Sequence, residues 1–440
     1  MANAVLIDLK SEREAPWEGW TPESVIRMLE MLWKDNGSQD PWVCIMCCQS
    51  LPSERSGEDV SHAAVQGFHC PEQGFEVVCA RSTVAALYAV KQKLDEKDIN
   101  RVQVLSPPHR KAFMRAFVDQ LFTSVYKFEF NDLPLPLEAG SLRQSPGPPK
   151  EFLPPLTGQD VGRIQREIKM YLETLPALKG ELRILRSERI PDDLFLHGFT
   201  TRAGGISYIP TLSAFNLFSS SKRRDPPVVV QENLRRLAVA AGFDPQTYHS
   251  IKVNHASDVW VMGKAQPESY DGIVTNQTGV VIAAPGADCI PVLFADPVRK
   301  ACGAAHSGWQ GTLLGVSMAT VNAMATEYGC RVEDILVVLG PSVGPCCFTL
   351  PQESAEQFHR IDPKCVRHLE SSRPSVDIRR ATRALLEAGG ILPQNIQDDS
   401  VMDPSQNFTL CTACHPEQFY SHIRDGENFG TQIGFIAIKD

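Results

Sequence analysis

The sequence predicts an α+β chain of two domains, and three observations carry that expectation. The chain has 440 residues, more than one ordinary hydrophobic core serves, so two cores are expected. Residues 1–135 alternate strand-like and helix-like patterns, the mark of a small α/β layer domain. From about residue 183 short apolar runs dominate, with helical patterns at 226–242, 313–328, 352–359 and 378–388. These lack regular strand–helix–strand alternation, which points to α+β rather than a continuous parallel sheet. The chain shows no internal repeat.

In the first domain, residues 41–48 and 75–80 read as strands. Ser82 is placed to cap a helix over 83–97, whose apolar residues recur at helical spacing. A strand over 102–105, an amphipathic helix over 111–126 and a last strand over 127–130 complete it. Neither Gly-x-Gly-x-x-Gly nor Gly-x-x-x-x-Gly-Lys-Ser/Thr occurs there, so no nucleotide cradle is expected. Cys44-x-x-Cys47 has a redox or metal spacing, but it lies inside an apolar run with no second pair nearby. A packing role is expected for it. Residues 136–182 read as linker and spacer. The stretch 133–158 is proline-rich, which suits a linker, and 159–175 reads as an amphipathic spacer helix. The third segment, 183–440, carries the chemistry.

Composition narrows the function classes. Hydrophobic residues make up 43% and charged residues 22%, ordinary for a globular protein. The formal net charge is −9, which argues against a nucleic-acid partner. No apolar run approaches the ~20 residues of a membrane span, and the N-terminus lacks the pattern of a signal peptide. A cytoplasmic location is expected. The 13 cysteines then read as buried hydrophobes plus a chemical minority, not a disulfide framework.

The chemical signal concentrates in two stretches. In 286–297, Cys289 opens an apolar run, 290–295, that reads as a buried strand. In 303–312, His306 ends a second apolar run and is followed by a glycine turn leading into a helix. His255 follows a third strand-like run, 251–254. Two imidazoles and a thiol at such ends suit a catalytic zinc, which keeps three protein ligands and one open position. Copper also accepts this donor set, but the 11 histidines include no His-x-His pair. A metal-free reading makes Cys289 a thiolate nucleophile with a histidine as base.

Other polar groups are candidates for substrate contact. Arg202 beside Gly204 and Gly205 is suited to an anion pocket, and Arg424 sits in a turn that can approach the same site. The basic loop 219–226 reads first as a solvated loop and second as a phosphate gate. Cys411-x-x-Cys414-His415 matches a haem-attachment pattern, yet packing is the expected role. Cys346-Cys347 reads as a tight turn with one buried thiol. The chain lacks the paired signature of a cytidine-type zinc deaminase.

Several motifs in one order resemble the YfiH/laccase-domain family. They include Gly-Phe-Thr-Thr-Arg-x-Gly-Gly-Ile-Ser (198–207), Phe-Asn-Leu (215–217), Asp-Gly-Ile-Val-Thr (271–275) and Ala-Asp-Cys-Ile-Pro-Val-Leu (287–293). Ala-His-Ser-Gly-Trp-x-Gly-Thr (305–312), Gly-Pro-Ser-Val-Gly-Pro-Cys-Cys (340–347) and Arg-Asp-Gly (424–426) continue the series. The resemblance covers about 185–440. It implies a layered α/β/β/α catalytic domain with zinc held by His255, Cys289 and His306. It also implies phosphorolysis of adenosine, inosine, guanosine and S-methyl-5'-thioadenosine with inorganic phosphate, and adenosine deamination. Arg202, Asn216 and Arg424 are the expected pocket residues, and Asp288 the expected orienting or proton-transfer group. A cleavage of citrulline to ornithine and isocyanic acid, and a role in macrophage purine metabolism and inflammation, are also attached to the family. Two stretches depart from the family pattern. Val253-Asn254-His255-Ala256 replaces Gln-Val-His-Gly, and Phe218 to Asp225 replaces a Gly-x-His-x-Gly-Asp-Asp loop. The first domain lies outside the resemblance and is the expected surface for any protein partner.

Overall fold

In a computed structural model, residues 4–9, 42–48, 65–70, 75–133, 156–398 and 411–439 are described. The chain forms two compact units. One holds Met1–Pro176 with Ser220–Val229, and the other holds Ala177–Ser219 with Val230–Asp440. Most of the proline-rich stretch expected as the linker lies outside the described residues.

The first unit is built on β1 (Ala4–Asp8), β2 (Trp42–Cys48), β3 (Val65–Cys70), β4 (Phe75–Ala80), β5 (Arg101–Ser106) and β6 (Lys127–Asp132). They form one sheet in the order β3-β4-β2-β1-β5-β6. Apart from β3, every neighbouring pair is parallel, and growth of the sheet reverses at β1, as in doubly wound folds. All of β1 is buried, and residues 4–7 read as a continuous apolar run, as burial on both faces requires. At its end Asp8 accepts from Ser106 Oγ (3.1 Å) and Arg110 Nε (2.9 Å).

Helices α1 (Thr83–Glu96), α2 (Pro108–Leu121) and α3 (Gly158–Thr174) belong to the same unit. Ser82 Oγ accepts from Ala85 N, as expected of a cap. Helix α2 starts earlier than its apolar pattern suggests, because Pro108 is preset for a first helical turn. Helix α3 is not a spacer. It buries Ile164, Ile168, Tyr171 and Leu172, and Tyr171 meets Tyr88 of α1 edge-on at 5.6 Å. The basic loop is likewise not simply solvated: Arg224 pairs with Asp95 and Asp98, and Arg223 is buried.

The second unit stacks two sheets. Its strands are β7 (Ile184–Leu185), β8 (Phe195–Thr200), β9 (Tyr248–Ser250), β10 (Val259–Val261), β11 (Gly272–Thr275), β12 (Val281–Gly286), β13 (Ile290–Asp296), β14 (Ala301–Ser307), β15 (Leu336–Leu339), β16 (Val366–Arg367), β17 (Ser375–Val376), β18 (Ile396–Gln397) and β19 (Gln432–Ile438). One sheet runs β7-β8-β19-β12-β9 and the other β10-β11-β14-β13-β15-β18, while β16 and β17 form a separate pair. The helices are α4 (Pro227–Ala241), which begins in the first unit, then α5 (Trp309–Leu313), α6 (Val316–Tyr328), α7 (Gln352–Ile361), α8 (Ile378–Ala388) and α9 (His422–Asp425).

Period-two alternation sorts the side chains into layers. On β13, Leu293 and Ala295 face the other sheet, joining Phe199, Ile282, Ala284 and Ile436 in one cluster. Val292 and Phe294 face the helices, joining Val321 and Met324 of α6 and Leu386 of α8. On β12 and β19, Val281, Ala283 and Phe435 pack with Leu237 of α4. The result is the expected helix–sheet–sheet–helix stack.

Candidate metal centre

The antiparallel pairing of β13 with β14 sets Pro291 opposite His306. Cys289, just before β13, therefore meets the end of β14. His255 arrives differently. Residues 251–254 are not a strand, and His255 stands in a bend with φ 63°, in the left-handed region. Metal-competent atoms of His255, Cys289 and His306 all lie within 4.8 Å of one another. The two imidazole rings are 5.1 Å apart between centroids.

Asp271, at the entry to β11, organises this centre. Its Oδ1 lies 2.9 Å from His306 Nδ1, so Nε2 is left to face His255 and Cys289. Its Oδ2 accepts from the backbone N–H groups of Asn254 (3.1 Å) and Ala256 (2.9 Å), on either side of His255. One buried carboxylate thus orients His306 and folds the bend that presents His255. Burial alone would raise the Asp271 carboxyl, but these hydrogen bonds hold it below the usual range.

The charges in the site oppose each other. Burial would raise the Cys289 thiol, yet His306 and His255 outweigh it and bring it down to about 6. Burial would likewise disfavour a charged His306, but Cys289 and Asp271 lift it to about 9. Gly308 leaves room for the cluster. A Cβ there would stand 2.8 Å from Cys289 Sγ and 3.3 Å from His255 Cδ2. The donor set, its mutual distances and the carboxylate behind His306 all fit a three-ligand zinc site.

The expected pocket residues are placed otherwise. Arg202 is buried and its three nitrogens donate to the carbonyls of Ser213, Pro416 and Pro210 at 2.6–2.7 Å. Its guanidinium also stacks on Tyr420. Asn216 Nδ2 donates to Phe218 O, and its Oδ1 accepts from Phe218 N and Thr431 N. Arg424 donates to the carbonyls of Thr412 and Phe419 and pairs with Asp425. In this structure these three side chains brace backbone. Asp288 sits beside Cys289 with φ 95°. Both its oxygens are engaged, by Thr412 Oγ1 and Ile423 N, each at 2.7 Å. Of its two expected roles, this geometry fits orienting rather than proton transfer.

The profile of the family described as "Multi-copper polyphenol oxidoreductase laccase" matches residues 196–439. Over its whole length the chain is 56% identical to all of a human protein named purine nucleoside phosphorylase LACC1. The chain belongs to the YfiH/laccase-domain family. The crystal structure of the YfiH/laccase-domain relative YlmD from Geobacillus stearothermophilus superposes with a TM-score of 0.52 at 27% identity, covering 59% of this chain and 98% of that one. A protein named adenosine deaminase RL5, from an unknown prokaryotic organism, is 32% identical over 40% of this chain and 65% of its own length. Sequence reasoning singled out no role for Asp271, although it opens one of the family motifs. The signal was available as an acid at the mouth of an apolar run, but its partners lie in other parts of the chain.

Proposed function

We propose that this chain is a purine nucleoside phosphorylase whose chemistry centres on His255, Cys289 and His306, with zinc as the metal and inorganic phosphate as co-substrate. One observation carries the reading. Two imidazoles and a thiol converge within 4.8 Å, braced by Asp271, in a chain matching a named human purine nucleoside phosphorylase from end to end. Adenosine, inosine, guanosine and S-methyl-5'-thioadenosine are the proposed substrates. Adenosine deamination is a second activity, supported by the relative named for it.

When bound, zinc supplies a Lewis acid with one coordination position open to substrate. The residues' own work is positional. Asp271 fixes the His306 tautomer, and Thr412 Oγ1 and Ile423 N anchor Asp288, the residue before Cys289. In phosphorolysis a phosphate oxygen bonds to the anomeric carbon as the glycosidic bond breaks and the leaving base gains a proton. Copper oxidase chemistry is less well supported. Among the described residues the other metal-competent group consists of cysteines, with no further histidine cluster.

The free state of most described cysteines supports a cytoplasmic location. No helix among the described residues is long and apolar enough to cross a membrane. The first unit, largely outside the family profile, is the proposed surface for a protein partner, and macrophage purine metabolism and inflammation the proposed setting.

The test is adenosine plus phosphate with product identification. Wild-type protein should release adenine and ribose 1-phosphate, and Cys289→Ala should lose turnover with an unchanged far-ultraviolet spectrum. Wild-type rates in Cys289→Ala would end the assignment. A second reading has its own support: a lowered Cys289 thiol beside a raised His306 also suits a covalent thiol lyase, such as one cleaving citrulline. Full activity after complete metal removal, with a covalent adduct on Cys289, would favour it.

A further inference from the structure

We propose that Cys346, Cys347, Cys411 and Cys414 form a second, tetrathiolate metal site, suited to Zn²⁺ and separate from the His255–Cys289–His306 centre. Their sulfurs all lie within 4.8 Å of one another. Cys414 Sγ is 3.7 Å from Cys346 Sγ and 3.3 Å from Cys347 Sγ. A regular zinc tetrahedron with bonds of about 2.3 Å separates its sulfurs by about 3.8 Å, so small side-chain adjustments close the shell. A disulfide needs a sulfur separation of about 2.05 Å, and all four residues are free.

Burial argues against a packing role. Cys411 is buried, but Cys346 and Cys414 are exposed and Cys347 is half-buried. Cysteines that fill a core do not leave two sulfurs in solvent. The expected tight turn at Cys346-Cys347 is present, but neither of its cysteines is fully buried. Each motif taken alone looked ordinary. Cys411-x-x-Cys414 supplies half of a common zinc pattern, and the second pair comes from a distant turn.

The backbone is already arranged to receive the ion. Cys347 N and Phe348 N donate to Gly344 O, which winds the first turn tightly. Cys414 N donates to Cys411 O (3.1 Å), which winds the second, and Thr412 N donates to Ser342 O (3.1 Å), which joins the two. Arg424 Nη1 holds the carbonyls of Thr412 and Ala413, the two residues inside the Cys-x-x-Cys turn. On binding, the thiols release their protons to solvent and the sulfurs donate lone pairs to Zn²⁺. No electron is transferred.

The position suggests what the ion does. Thr412 lies between two of the ligands, and its hydroxyl donates to Asp288, the neighbour of Cys289. Val343 N donates to Asp288 O (3.0 Å) from the other turn. Zinc in the tetrathiolate would clamp both turns that hold the Asp288–Cys289 corner. It acts as a staple for the catalytic centre rather than as a second reaction site.

The experiment is a cobalt titration of metal-free, fully reduced, full-length Cys289→Ala, a background that removes the only sulfur of the first centre. Co²⁺ should bind at the thiolates with intense sulfur-to-cobalt absorption, and Zn²⁺ should displace it. The absorption should vanish in Cys289→Ala/Cys414→Ser and in Cys289→Ala/Cys346→Ser. Zinc content of the otherwise native chain should be about two per chain, falling to about one in Cys414→Ser. No thiolate–cobalt absorption in Cys289→Ala would overturn the site. So would a Cys347–Cys414 disulfide found by non-reducing peptide mapping in protein purified with zinc and reductant. Neither readout depends on nucleoside turnover, so failure here is distinct from failure of the proposed activity.

Discussion

The Asp271 carboxylate lies 2.9 Å from His306 Nδ1 through one oxygen and takes the amides flanking His255 through the other. The two histidines of the centre are therefore coupled through a residue that is not itself a ligand. Asp271→Asn keeps the shape but removes the charge and one acceptor. Metal affinity should fall about 10–100-fold, measured by chelator competition. Asp271→Glu should not restore it, because the longer chain cannot serve all three partners at once. Unchanged affinity in Asp271→Asn would show that the coupling has no consequence.

Gly308 makes a steric prediction. An alanine Cβ would meet Cys289 Sγ at 2.8 Å, inside ordinary contact. The expected result of Gly308→Ala is loss of bound metal and of turnover. The stability cost is about 1–3 kcal/mol, read from chemical denaturation. A fully loaded, fully active Gly308→Ala would mean that the cluster has more room than the backbone suggests.

Metal uptake should depend on pH with a definite sign. In the metal-free protein His306 is raised to about 9 and Cys289 lowered to about 6. Between these values Cys289 is already a thiolate, but His306 must lose a proton before it can ligate. Apparent affinity should therefore rise with pH by about tenfold per unit through the middle of that window and level off towards pH 9. Below about 6 the Cys289 proton adds to the count and the dependence steepens. Isothermal titration in buffers of different ionisation enthalpy counts the protons released. A flat profile from pH 6 to 9 would contradict the assigned charge pattern.

The first unit offers a test independent of catalysis. Asp8 is fully buried and its partner Arg110 nearly so. Arg110→Ala removes the counter-charge of this buried carboxylate and should destabilise this unit by about 3–5 kcal/mol. Replacing both partners by apolar residues, Asp8→Leu with Arg110→Met, should recover most of the loss. Protease susceptibility of the first unit is the readout, and an Arg110→Ala protein as resistant as wild type would refute the prediction.

Much of the architecture was legible in the linear chain because it rests on local physics. Helix α8 follows its apolar spacing, β13 and β14 are built around the apolar stretches 290–295 and 301–305, and Ser82 caps α1 where its side chain can reach the third amide on. The nearness of Cys289 and His306 was also legible, because both stand at the ends of such runs, whereas His255 stands in a bend. The surroundings of Arg202 and Arg424 are something that spacing cannot express. A guanidinium beside glycines suits an anion or a set of carbonyls equally well, and only the folded chain brings the carbonyls of Pro210, Ser213 and Pro416 to Arg202.

By itself, the sequence determined which elements form and which residue types gather at strand ends, since propensity and periodicity act over a few neighbouring residues. The tertiary structure alone decided that Asp271 stands behind His306, that Asp288 is anchored by Thr412, and that four cysteines from two turns meet. Those relationships join positions far apart in the chain. They depend on sheet register and on how loops cross the end of a stack, and no local pattern encodes either.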